Sequence, residues 1–190
     1  MALLFLGDSI TQWWDEYSYK KFFGLYDPVN LGISGHTTKD TLELIQLTGL
    51  HKLKPNVVVL QIGTNNADNG ITTGETLSDI KRIINNILKL SSQTRILLIG
   101  PLPRGLSESD KYRVFNVQVN KLLSEEKFPD YVFYVDLSDI FLRSDKSICK
   151  SIMYDYLHLT PKGYKDLSES ISSFLFILFS HTPTTLGKSG

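Results

Sequence analysis

Five short apolar runs, Leu3–Leu6, Val29–Leu31, Val57–Ile62, Ile96–Ile99 and Val132–Val135, are spread along the chain, and each is too short and too apolar for a surface helix. They read as buried strands. Between them the period changes: Leu77, Ile80, Ile83, Ile84, Ile87 and Leu88 recur every three or four residues, as do Tyr112, Phe115, Val119, Leu122 and Leu123. Thr38 to Leu50, with Leu42, Ile45 and Gly49 on one side, follows the same rule, and so does the stretch carrying Tyr164, Leu167, Ile171, Phe174, Leu175 and Leu178. Start signals agree with these helices. Thr72 and Glu75 have capping-box spacing, and Thr160-Pro161 sets an N-cap before a proline suited to the first helical position.

Parallel strands need crossover connections that pack back onto the sheet, so this alternation predicts an α/β fold, a three-layer α/β/α sandwich around a five-stranded parallel sheet. No repeat or proline-rich linker divides the chain. One domain is expected over residues 1–180, with residues 181–190, rich in Thr, Pro, Gly, Lys and Ser, as a frayed tail.

Twenty basic residues balance twenty acidic ones, which argues against nucleic-acid binding or attraction to an anionic membrane. The apolar run Phe174–Phe179 falls far short of the ~20 residues a transmembrane segment needs. A single cysteine, Cys149, cannot form an internal disulfide, and the chain opens with neither a basic leader nor a long apolar stretch; a cytoplasmic location is expected. There is no Gly-x-Gly-x-x-Gly after a strand, no phosphate loop and no His-Glu-x-x-His, so neither a cofactor nor a metal is expected.

The chemistry concentrates where strands end. Gly7-Asp8-Ser9 follows the first apolar run and delivers a hydroxyl at a strand-to-turn junction, but a serine is a poor nucleophile until a base takes its proton. His158 is a candidate base, and Asp155, three residues earlier in a loop, can reach one imidazole nitrogen while the other faces Ser9. Acyl transfer also needs fixed donors for a developing oxyanion. Candidates are the N–H groups of Ser9 and Gly35 and the carboxamide of Asn65, the latter two following the second and third strands. Taken singly, each of these residues is ordinary turn chemistry. Their order along the chain, each just past a strand or just before the last helix, is what makes them a site.

In that order the chain resembles the SGNH hydrolases of the GDSL esterase/lipase superfamily, whose blocks supply serine, glycine, asparagine and histidine. The matches are Gly7-Asp8-Ser9, Gly35, Gly63-Thr64-Asn65 and Asp155 to His158, and the resemblance spans residues 2 to about 179. Gly63-Thr64-Asn65-Asn66, Leu102-Pro103-Arg104-Gly105 and the run from Met153 to Leu159 look most like the catalytic subunits of intracellular platelet-activating-factor acetylhydrolase and their microbial relatives. Asn66 stands where many superfamily members carry aspartate. The resemblance implies a flavodoxin-like sheet, a Ser9–His158–Asp155 triad, an oxyanion hole from Ser9, Gly35 and Asn65, a small acyl-ester substrate and a homodimer. Acetylated carbohydrate in place of lipid, or a catalytically silent binding module, are the competing readings.

Four further residues have plainer expectations. Asp8 is expected to bond backbone N–H groups at its turn, and His36 to lie in solvent on its loop. Of Trp13 and Trp14, one should pack and the other border the pocket. Arg104 either pairs with a carboxylate at the rim or holds a subunit contact.

Overall fold

The computed structural model describes residues 2–47 and 53–180. Five parallel strands, β1 (Leu3–Gly7), β2 (Pro28–Gly32), β3 (Val57–Gln61), β4 (Arg95–Ile99) and β5 (Val132–Val135), form one sheet in the order β2-β1-β3-β4-β5. The sequence expectation places all five to within a residue at either end. Among the described residues, six helices flank it: α1 (Ser9–Gln12), α2 (Glu16–Phe23), α3 (Thr38–Leu47), α4 (Thr73–Leu90), α5 (Lys111–Glu125) and α6 (Pro161–Ser180).

Alternate residues of the strands feed two cores. Leu3, Phe5, Val57, Val59, Leu97 and Ile99 pack with Ile10 and Trp14 and with Tyr164, Leu167, Ile171 and Leu175 of α6. Leu4, Leu6, Val58, Leu60, Ile96 and Leu98 pack on the opposite face with side chains of α3, α4 and α5. That is the three-layer α/β/α arrangement. The strands are not all buried, however. β1 and β3 are buried throughout, whereas the edge strands β2 and β5 leave Val29 37% and Phe133 41% exposed, because an edge strand has only one neighbour to cover it.

Helix α2 is absent from the sequence expectation although its apolar periodicity is no weaker than that of α3 or α5; its packing is aromatic. Phe23 meets Phe5 at 5.0 Å between ring centroids and Trp14 at 5.5 Å. Asp15 caps this helix by accepting from Ser18 N–H. The capping box at α4 forms as its spacing predicts, with Glu75 and Thr72 bonding each other's backbone N–H. Thr160 Oγ1 accepts from Gly163 N–H just before α6. Gly49 and the end of the stripe from Thr38, like the tail 181–190, lie outside the described residues. Among those residues no helix is long and apolar enough to cross a membrane.

The chain reverses direction across the sheet at β1. From β1 it moves outward to β2, then returns past β1 to β3, so the connections after β1 and β3 leave on opposite faces and open a crevice at the carboxyl edge. Helix α6 anchors the turn that emerges there: Tyr164 Oη donates to Ile10 O at 2.9 Å, and Trp14 Nε1 donates to Ser168 Oγ at 3.0 Å. Both bonds are buried. Replacing Tyr164 by Phe leaves the Ile10 carbonyl without that donor and should cost about 1–3 kcal/mol in a urea unfolding titration. A variant as stable as wild type would show that the hydroxyl does not hold the turn.

Candidate active site

Strand pairing brings three loops to one place. Gly7 lies opposite Gly32 of β2 and opposite Gln61 of β3, so Ser9, Gly35 and Asn65 emerge from adjacent strands at the same level. Close approach requires the first two to be glycine. A Cβ on Gly7 would strike Thr11 and the Gln61 carbonyl, and one on Gly32 would strike the α1 backbone at Gln12. Gly35 is a different case. A Cβ there would meet open space, but its φ of +80° lies in the left-handed region that side chains resist.

Ser9 begins α1, its hydroxyl 2.9 Å from His158 Nε2. On the far side of the ring His158 Nδ1 is 2.6 Å from Asp155 Oδ2. Asp155 Oδ1 accepts the backbone N–H groups of His158 at 2.7 Å and Leu157 at 3.1 Å. The loop thus fixes its own carboxylate beneath its own imidazole. Partial burial pushes the Asp155 carboxyl upward, but the hydrogen bonds from the His158 ring and backbone, the His158 charge and the Leu157 N–H outweigh it and hold the group below the usual range. An ionised carboxylate at Nδ1 selects the tautomer that leaves Nε2 free to accept from Ser9.

Asn65 follows β3 in the 3₁₀ turn Thr64–Asn69, and its Nδ2 donates to His36 O at 3.0 Å. One of its two amide hydrogens is committed to the Gly35 loop and the other is left to donate. Gln12 of α1 secures the same loop from the opposite side, its Oε1 accepting from Ser34 N–H at 2.7 Å and Ser34 Oγ at 2.6 Å. Nothing local in the sequence signals that contact across 22 residues. His36 is less exposed than expected, with Nδ1 buried and unpartnered among the described residues, because its carbonyl is drawn in by Asn65.

The neighbouring Asn66 is fully buried. Its Oδ1 accepts from Thr38 N–H, and its Nδ2 donates to the hydroxyls of Thr38 and Thr76, both at 2.8 Å. Those hydroxyls have already committed their own protons, Thr38 to Asp79 and Thr76 to the Thr72 carbonyl. Only a donor fits between them. That is the physical reason for asparagine where aspartate is common in the superfamily.

Trp14 packs in the core, as one of the two tryptophans should. Trp13 is 48% exposed, with its ring centroid 4.5 Å from that of His158. Tyr154, also half exposed, stacks against the same imidazole at 6.0 Å. Arg104 pairs with a carboxylate, Asp68, at 2.7 Å.

Asp8, beside the serine, caps α1 as expected by accepting from Ile10 N–H at 2.9 Å. Its complete burial is not legible in the sequence. Desolvation drives its carboxyl up to about 6, against the opposing Ile10 N–H and the nearby charges of His158 and Arg104. The folded state therefore keeps the proton that the unfolded chain releases near pH 3.8. Stability from this group falls as pH rises from that value to about 6 and is flat above, where burying the ionised form costs on the order of 2–3 kcal/mol. Asp8→Asn, which keeps the cap acceptor, should be more stable than wild type at pH 8, with the gap narrowing towards pH 4. Denaturant titrations at the two pH values measure this, and a gap that does not change with pH would contradict it.

Residues 5–165 match the GDSL-like Lipase/Acylhydrolase family. The subunit alpha2 of platelet-activating factor acetylhydrolase IB from Rattus norvegicus is 34% identical over 184 residues, covering 95% of this chain and 79% of the relative. Subunit alpha1 from the same organism is 32% identical over 181 residues, covering 94% and 76%. Among solved structures, a GDSL-like lipase from Bacteroides thetaiotaomicron superposes with a TM-score of 0.74 at 19% identity, covering 93% of this chain and 88% of that one. An acetylxylan esterase from Geobacillus stearothermophilus, a catalytic mutant, gives 0.73 at 19% identity, covering 93% of each. These two likenesses show the fold. Family match, relatives and fold agree, and the chain belongs to the GDSL-like lipase/acylhydrolase family of the SGNH superfamily, as a carboxylic ester hydrolase.

Proposed function

We propose that this esterase removes a short acyl group, above all acetyl, through a Ser9–His158–Asp155 relay and an acyl-enzyme. The observation that carries the reading is the continuous line of contacts, Ser9 Oγ to His158 Nε2 at 2.9 Å and His158 Nδ1 to Asp155 Oδ2 at 2.6 Å. His158 takes the Ser9 proton as Oγ bonds the ester carbonyl carbon. The imidazolium, steadied by ionised Asp155, then gives that proton to the departing alkoxide, and the carbonyl re-forms as the ester C–O bond breaks. Water repeats the sequence on the acyl-serine: it loses a proton to His158, its oxygen bonds the acyl carbon, and Ser9 leaves with the proton returned.

Three donors suit the oxyanion. The Ser9 N–H opens a helix and so has no intrahelical acceptor. Gly35 N–H lies on the loop fixed by Gln12 and Asn65, and Asn65 Nδ2 has one hydrogen to spare. The acetyl preference draws support from the relatives named as acetylhydrolases. Their description as subunits makes assembly with another polypeptide a reasonable extension, and a homodimer is the form proposed for this chain.

The half-exposed rings of Trp13 and Tyr154 beside His158 favour a second reading, in which the leaving group is a sugar ring stacked on an aromatic face. Acetate release from an acetylated xylo-oligosaccharide, compared with that from a short-acyl phospholipid, separates the two. For the relay itself, Ser9→Ala should abolish turnover of p-nitrophenyl acetate and labelling by a fluorophosphonate, and Asn65→Ala should lower kcat by on the order of 10²–10³. A kcat near wild type in either variant rejects the assignment.

A further inference from the structure

We infer that Arg104 is a positioning residue, which holds the Thr64–Asn65 turn in register with the loop that carries Asp155 and His158. The inference rests on the oxyanion and relay roles proposed above.

Its side chain reaches one half of the site. Arg104 Nη1 donates to Asp68 Oδ2 at 2.7 Å and to Thr64 O at 3.2 Å, so it grips both ends of the turn containing Asn65. The guanidinium carbon sits 4.0 Å from the centroid of the Tyr112 ring, which fixes the plane of the fork. Asp68 is exposed, and what burial it has would raise its carboxyl, but the hydrogen bonds from Arg104 and Tyr112 and the charges of Arg104 and Lys111 hold it below the usual range.

Its backbone belongs to the other half. The adjacent Gly105 N–H donates to Tyr156 O at 2.9 Å, and Tyr156 lies between Asp155 and His158 with a φ of +63°. A non-glycine residue there resists that conformation and needs an outside contact to hold it. Arg113, only 2% exposed, secures the pair from below: it donates to the carbonyls of Arg104 at 2.8 Å, Gly105 at 2.8 Å and Lys146 at 3.1 Å. All three of these bonds run to main-chain oxygen. The guanidinium of Arg104 therefore hangs from a backbone that is fixed to the base-bearing loop, while its tip is fixed to the donor-bearing turn.

A second strap limits what its loss can do. Asn116 Nδ2 bonds Thr64 Oγ1 at 3.0 Å and Leu102 O at 2.8 Å. Removing Arg104 should loosen the Asn65 turn without unfolding it, and misplacement on the ångström scale is enough to reduce catalysis.

A double-mutant cycle on the full chain tests this, with p-nitrophenyl acetate as substrate. Arg104→Met should lower kcat about tenfold with KM within about twofold, and Arg104→Lys should recover only part of the loss because it lacks the planar guanidinium that stacks on Tyr112. In an Asn65→Ala background the cost of Arg104→Met should shrink below about threefold, since the donor it positions is gone. An unchanged kcat in Arg104→Met, or the same loss in both backgrounds, overturns the inference. Should circular dichroism show Arg104→Met unfolded, Asp68→Asn replaces it in the same cycle: a loss of about threefold or more that disappears with Asn65→Ala supports the inference, and anything else overturns it. Asn65→Ala alone tests the underlying reading. If it leaves kcat intact, the oxyanion assignment falls and this inference with it; if it lowers kcat and the cycle shows no coupling, only the inference falls.

Discussion

Parallel pairing of β1 with both β2 and β3, Gly7 opposite Gly32 on one side and Gln61 on the other, is the constraint from which the site follows. A slip of one residue would turn every side chain of β1 to the other face and exchange its two sets of core partners, so register is held by both cores at once. With the strand ends fixed at one level, the serine turn, the Gly35 loop and the Asn65 turn have no freedom to separate along the strand direction. Side-chain bonds then remove what lateral freedom is left, through Gln12, Asn65 and Asn66. The histidine loop is the remaining part, and it arrives just ahead of α6, which is packed on the sheet face that also carries Ile10 and Trp14.

Two carboxylates near one imidazole are treated in opposite ways. Asp155 is partly solvated and receives N–H groups on both oxygens, so it stays charged. Asp8, completely buried and bonded by the Ile10 N–H, keeps its proton to a much higher pH. Sequence proximity to the serine therefore says little about which acid serves the histidine; solvation and donor count decide it.

Fold and site were legible to different depths for the same reason. Strand and helix periods depend on neighbours within a few residues, so the sheet and the helices α3 to α6 could be read directly. The packing of helix α2 could not, because its aromatic rings meet Phe5 of β1 and Trp14, and the helix lies against α6. Ser9, Gly35, Asn65, Asp155 and His158 were found through their order after strands and their likeness to known motifs. What stayed hidden spans long separations. The bond from Tyr164 to Ile10 crosses 154 residues, and that from Arg104 to Asp68 crosses 36. Residues that hold the candidate site together bond to main chain or to one another, and that pattern leaves no local spacing to recognise. The exposure of the edge strands stays hidden for a related reason, since an apolar run does not report whether a strand has one neighbour or two.

The two adjacent tryptophans sit in unlike surroundings. Trp14 is enclosed by Phe5, Phe23 and Tyr164, whereas Trp13 is half in water against the imidazole. Their indoles should emit at different wavelengths, the enclosed one towards the blue. Trp13, against the imidazole that bonds Ser9, is the indole placed to report an adduct formed there under the relay proposed above. The protein thus carries a built-in optical gauge of occupancy, readable in a stopped-flow fluorimeter without any added dye.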